Sequence, residues 1–91
     1  MKAIRIRMKY GCLNSEDLME VDSIYIDGYL LQGFYKKEFL HDYVKSHLES
    51  IQVNIYPYPY LIPGISYKGE KYVRSSPNSL EKDNLLKLPR E

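Results

Sequence analysis

Few side chains in this sequence have the types and spacing that chemistry needs. Two histidines, His41 and His47, lie six positions apart in a stretch of helical periodicity. That spacing puts them on different helix faces, whereas a shared metal ion asks for an i, i+4 pair. Both read as surface or half-buried imidazoles, and no metal site is expected. Cys12 is the single cysteine. It sits in a polar loop near Lys9 with no histidine close in sequence to activate it, so it reads as an ordinary free thiol. Glu16, Asp17, Glu20, Asp22 and Asp27 are dense but lack the glycine-punctuated spacing of a calcium loop. There is no phosphate-binding glycine loop and no Gly-x-Ser-x-Gly. The expectation is a protein that is not an enzyme and uses no cofactor.

Binding chemistry is better represented. Arg5, Arg7 and Lys9 would project in line from one face of a strand, with Lys2 beside them, and such a row can meet phosphates. The competing reading is charge pairing across the sheet, since Glu20 and Asp22 lie on the next strand. Ten tyrosines are the strongest compositional oddity. In an extended chain Tyr56, Tyr58 and Tyr60 of the Tyr-Pro run share one side, which suits a protein interface as well as it suits core packing. Base stacking ranks behind these, because no arginine interleaves the run.

The elements that position these residues follow from length and pattern. With 91 residues, 44% hydrophobic and a net charge of +1, the chain is one domain with a thin core. Neither bulk disorder nor a bulk electrostatic mandate for nucleic acid or an acidic membrane is present. One cysteine, an N-terminus that alternates charge with apolar residues, and the lack of a membrane-length apolar run together predict a cytoplasmic protein with no membrane contact.

Ile4, Ile6 and Met8 fall on one face of a first strand, with Arg5, Arg7 and Lys9 on the other. Asp27-Gly28 between β-prone runs predicts a type I′ hairpin with strands at Val21–Ile26 and Tyr29–Phe34. A helix is expected from Lys36 to Leu48, packing a stripe of Leu40, Val44, Leu48, Phe39 and Tyr43 on the sheet. Ile51–Tyr56 alternates as a strand. The prolines that follow should keep the chain straight along a sheet edge before a turn at Pro63-Gly64. Two short strands flank Lys68-Gly69-Glu70, and the tail opens with a Ser75–Asn78 turn. The predicted fold class is α+β, a small mainly antiparallel sheet of about five to six short strands with one amphipathic helix on one face. Its segments are a strand and hairpin over 2–34, the helix over 36–48, strands over 51–74 and a clasp tail over 75–91.

Lys71-Tyr72-Val73-Arg74-Ser75, then Asp83-Asn84-Leu85-Leu86-Lys87-Leu88-Pro89, resembles the closing signature of a family catalogued only as a domain of unknown function, number 3892. Its members are short bacterial and phage proteins ending in a pattern like Lys-Tyr-Leu-Arg-Thr, a polar turn, then Asn-Leu-Leu-x-Leu-Pro. Here Val73 replaces the usual Leu, Ser75 replaces Thr, and the Tyr-Pro run has the look of an insertion. The resemblance implies no activity. Physically, the motif reads as a clasp, with Asp83 and Asn84 holding the Arg74 guanidinium and Leu85, Leu86 and Leu88 closing the core. The functional version makes Arg74, Asn84 and Tyr72 an anionic-ligand pocket.

The leading expectation is therefore a small non-enzymatic binding protein whose partner is another protein or a small anionic ligand. By analogy with phage proteins it would be an inhibitor or a sponge for a nucleotide signal. The alternative is a nucleic-acid binder using Arg5, Arg7 and Lys9. A thin core and an apolar edge also favour a homodimer.

Overall fold

The computed structural model describes residues 1–77 and 83–91. The fold is α+β, with six strands, one α-helix and two short 3-10 turns among the described residues. The strands are β1 (Lys2–Met8), β2 (Val21–Asp27), β3 (Gln32–Lys36), β4 (Gln52–Val53), β5 (Leu61–Ile65) and β6 (Lys71–Ser75), and helix α1 (Lys37–Ser46) follows β3 directly. Instead of one sheet there are two: a four-stranded sheet in the order β3-β2-β1-β4, and the β5-β6 hairpin. All pairings are antiparallel except β1 with β4. Among the described residues no helix is long and apolar enough to cross a membrane.

One face of the larger sheet builds the core. Ala3, Ile6 and Met8 of β1 and Val21, Ile24 and Ile26 of β2 are buried together with Leu40 and Val44 of α1, Leu61 and Val73 of the hairpin, and Leu85, Leu86 and Leu88 of the tail. In β1 the alternation slips. Ala3 pairs with Ile26 and Arg5 with Tyr25, so Ile4 is the extra residue of a β-bulge and is only half-buried. Ala3 thus takes the inward place expected of Ile4. The bulge also brings Lys2 and Arg5 to the same outer face, which uninterrupted alternation would have forbidden.

Two local expectations give way to tertiary contacts. Asp27 pairs with Gln32, so the β2–β3 connection is a four-residue loop rather than a two-residue Asp-Gly turn. Leu31 is buried in that loop, and Gly28 lies so close to Met1 that a Cβ there would collide with the methionine side chain. The helix buries Lys37, Leu40, His41 and Val44, while Phe39 stays 48% exposed and Leu48, beyond the helix end, 69% exposed. His41 is therefore a buried histidine, with Nδ1 2.9 Å from Asp42, whereas His47 is exposed and bonds the Tyr43 carbonyl. Lys37 is tolerated inside because its ammonium reaches Glu38 at 3.0 Å and Glu70 at 3.1 Å. Burial pulls its affinity for protons down, but the bonds to Glu38 and Glu70 outweigh that and hold the pKa above the ordinary lysine value.

The tail seals β1. Ile6 donates to the Pro89 carbonyl and Glu91 donates back to Ile6, so residues near Arg90 run beside β1 where β4 has ended. Arg90 ties this end to the 13–15 loop through the Leu13 and Ser15 carbonyls, both at 2.7 Å. The Ser75–Asn78 turn expected at the start of the tail runs into the residues outside the description.

Candidate binding surface

Among the described residues, no helix covers the second face of the four-stranded sheet. Register places three rows on it: Gln52, Lys2, Asp27 and Gln32; then Arg5, Tyr25 and Phe34; then Arg7, Ser23 and Lys36. The Arg5 guanidinium lies over the Tyr25 ring, 4.7 Å from its centroid, and that of Arg7 over Phe34 at 4.0 Å. Tyr25 and Phe34 meet edge to face at 5.1 Å. To reach Phe34 on β3, Arg7 must cross β2 at its own partner Ser23. This accounts for Ser23 being only 4% exposed on an otherwise open face. A third pair continues the pattern, with Lys2 Nζ 4.9 Å from the Tyr58 ring.

The expected neutralisation of this basic row does not occur. Asp22 is bonded to Lys36 at 2.7 Å, which holds its carboxyl below the ordinary aspartate range. Glu20 turns to the loop, accepting from Ser15 and, at 3.1 Å, from Cys12. Among the described residues, neither Arg5 nor Arg7 has a carboxylate within ion-pair distance. Lys9 leaves the row. It lies past the end of β1 and pairs with Glu70 at 3.5 Å. The same geometry acts on Cys12, whose bond to Glu20, then burial and the Glu20 charge, push the thiol pKa up.

The Tyr-Pro run does not continue straight. The chain turns over residues 54–58, with a cis Tyr56-Pro57 bond and Tyr58 at φ 60°, and Tyr60 comes back beside Gln52. Val53 donates to the Pro59 carbonyl and Gln52 Nε2 to that of Tyr58. Tyr56 and Tyr58 are thereby exposed and edge to face at 6.1 Å, while Tyr60 is half-buried and does not share their surface.

Nor does the expected anionic pocket form. Tyr72 and Arg74 point to one side of β6, whereas Asn84 is fully buried against Ser75, which points to the other. Asp83 spends its carboxylate on the Ser75 amide and hydroxyl and the Leu85 amide, with no ion pair to Arg74. Tyr72 lies across Gly64, where a Cβ would come 2.6 Å from the ring. The clasp is real in another form. Asn84 Nδ2 donates to the carbonyls of Ile55 at 3.1 Å and Tyr56 at 3.3 Å, so the tail holds the Tyr-Pro turn.

Sequence reasoning missed Tyr25 and Phe34. Tyr25 was findable, since it sits between Ile24 and Ile26 and must face away from them. Phe34 becomes legible only once the β2–β3 register is known.

Residues 32–89 match the family model described as "Protein of unknown function (DUF3892)". The match spans more than half of the chain, and the chain belongs to this family. It includes Phe34, the Tyr-Pro turn and the Asn84 clasp, and leaves out β1 and β2 with Arg5, Arg7 and Tyr25. No curated protein and no solved structure matches the chain.

Proposed function

We propose that this member of the family is a non-enzymatic binding protein, and that its open sheet face takes single-stranded nucleic acid. The observation that carries the reading is the arrangement of Arg5 on Tyr25 and Arg7 on Phe34, with neither arginine paired to a carboxylate among the described residues. A guanidinium stacked on a ring keeps its outer plane free for a base and its N–H edge free for a phosphate. The strand rise spaces Arg5 and Arg7 by about 7 Å, so successive nucleotides of an extended strand can meet them in turn. A duplex fits less well. Its bases are stacked inside, and a slightly twisted sheet face offers no helix or ribbon to enter a groove.

Fluorescence anisotropy with a labelled oligothymidylate and the matching duplex tests this. With about three cations engaged, the logarithm of affinity should fall with the logarithm of salt with a slope of about −2. Equal affinity for duplex and single strand, or binding indifferent to salt, would count against it.

A second reading keeps the protein partner. Tyr35, Phe39, Tyr43 and His47 form a continuous ladder of stacked rings with centroids 5.3, 6.3 and 4.6 Å apart, running from β3 along α1, with Phe39 and His47 exposed and Tyr35 and Tyr43 half-buried against the core. If that ladder is the working surface, replacing Phe39 with Ser abolishes partner capture and leaves oligonucleotide affinity unchanged.

A further inference from the structure

The Tyr-Pro turn stands at the β4 side of the same face, and its construction is unusual for a surface loop. Tyr58 holds a positive φ of 60°, a region that tyrosine rarely visits. The turn is held there from three directions: by the Gln52 side chain on the Tyr58 carbonyl, by Tyr58 N–H on the Ile55 carbonyl, and by the fully buried Asn84 on the carbonyls of Ile55 and Tyr56. What this framework presents to solvent is two large rings, Tyr56 at 77% exposure and Tyr58 at 44%. A loop under such constraint, displaying aromatic surface that its own core does not use, has the properties of a preorganised contact. Tyr58 is also joined to the row of cations through Lys2, so the rings continue the line of Arg5 and Arg7.

We propose that Tyr56 and Tyr58 form an aromatic hook that stacks one or two further bases of the strand lying on Arg5 and Arg7. The inference rests on the nucleic-acid reading above and extends it. The site gains a defined end, because a strand running along β1 from Arg7 past Lys2 arrives at the hook. Short oligonucleotides therefore occupy the arginine pairs alone, and longer ones reach the tyrosines. Stacking on tyrosine uses the ring face, so the phenolic oxygen is dispensable and the ring is not.

The test compares oligothymidylates of about three and about eight nucleotides on four proteins: wild type, Tyr56→Leu/Tyr58→Leu, Tyr56→Phe/Tyr58→Phe, and Arg5→Glu/Arg7→Glu. In the wild type the longer strand should bind about tenfold or more tighter than the shorter. The leucine pair should lose that gain and keep the affinity for the short strand, and the phenylalanine pair should retain both. A wild type with no gain from length, or a leucine pair that keeps it, overturns the hook while leaving the arginine face standing. A wild type that binds neither length overturns the nucleic-acid reading and the hook with it.

Discussion

The two faces of the four-stranded sheet are cut from alternate residues of the same strands, yet they meet opposite demands. Inward, Ala3, Ile6, Ile24 and Ile26 are fully buried under α1, the β5-β6 hairpin and the tail. Outward, Arg5 and Arg7 are exposed, half-covering Tyr25 and Phe34 with charge. Burying apolar area stabilises the fold by about 25 cal/mol per Å², so the inner face supplies the cohesion of the domain. On the outer face a cation over an exposed ring contributes only about 0.5–1 kcal/mol. Stability alone therefore explains its composition poorly, and the binding role proposed above would account for it. Small domains have little stability to spare, and a division of labour by face lets the outer side vary at low structural cost.

This comparison breaks if substitutions on the two faces have similar effects. The largest change in stability should come from Ile24→Ala, which opens the core between β1 and β2. About 3 kcal/mol of unfolding free energy should be lost in urea denaturation, with oligonucleotide affinity of the folded protein preserved. Next is Lys37→Ala, which removes an almost wholly buried side chain and its ion pairs to Glu38 and Glu70; a loss smaller than that of Ile24→Ala is expected in the same denaturation, with binding again unchanged.

Acid should act on the same inner network. Glu70 is held below the ordinary glutamate value of 4.5, chiefly by its bond to Lys37. A depressed carboxylate pKa contributes stability that is present above the unfolded value and is lost as pH falls through the folded one. Thermal unfolding should therefore shift downward once pH drops below 4.5, and Glu70→Gln should flatten that part of the profile. The smallest effect belongs to Lys9→Gln. Lys9 pairs with Glu70 rather than joining the arginine row, so both affinity and salt slope should stay within error of wild type.

Much of this architecture was legible in the residues. The first strand with its inward Ile6 and Met8, the existence of the β2–β3 hairpin, the helix, the strands around Lys68-Gly69-Glu70 and the apolar anchor of Leu85, Leu86 and Leu88 follow from local pattern, whereas the place of Ile4 and the four-residue β2–β3 connection do not. What was not legible depends on partners far along the chain. The helix turns Lys37 inward because Glu70 waits there, and no helical periodicity encodes that. The Tyr-Pro run turns where Asn84, 28 residues further on, reaches the Tyr56 carbonyl. Proline pattern alone predicts an extended chain. The outer face shows both sides of the problem. Arg5 and Arg7 were visible as a row with Lys2 beside it, whereas the bulge at Ile4 that puts Lys2 on their face and the register that sets Phe34 under Arg7 exist only in the folded sheet.

The most direct measurement pairs affinity with stability in the Arg5→Glu/Arg7→Glu variant, using a labelled oligothymidylate and urea denaturation on the same preparation. If the outer face is the binding surface, affinity falls by about a hundredfold or more and the salt dependence nearly vanishes, while unfolding free energy changes by about 1 kcal/mol or less. Unchanged affinity in a fully folded variant, with the wild type binding the same strand, would contradict the account.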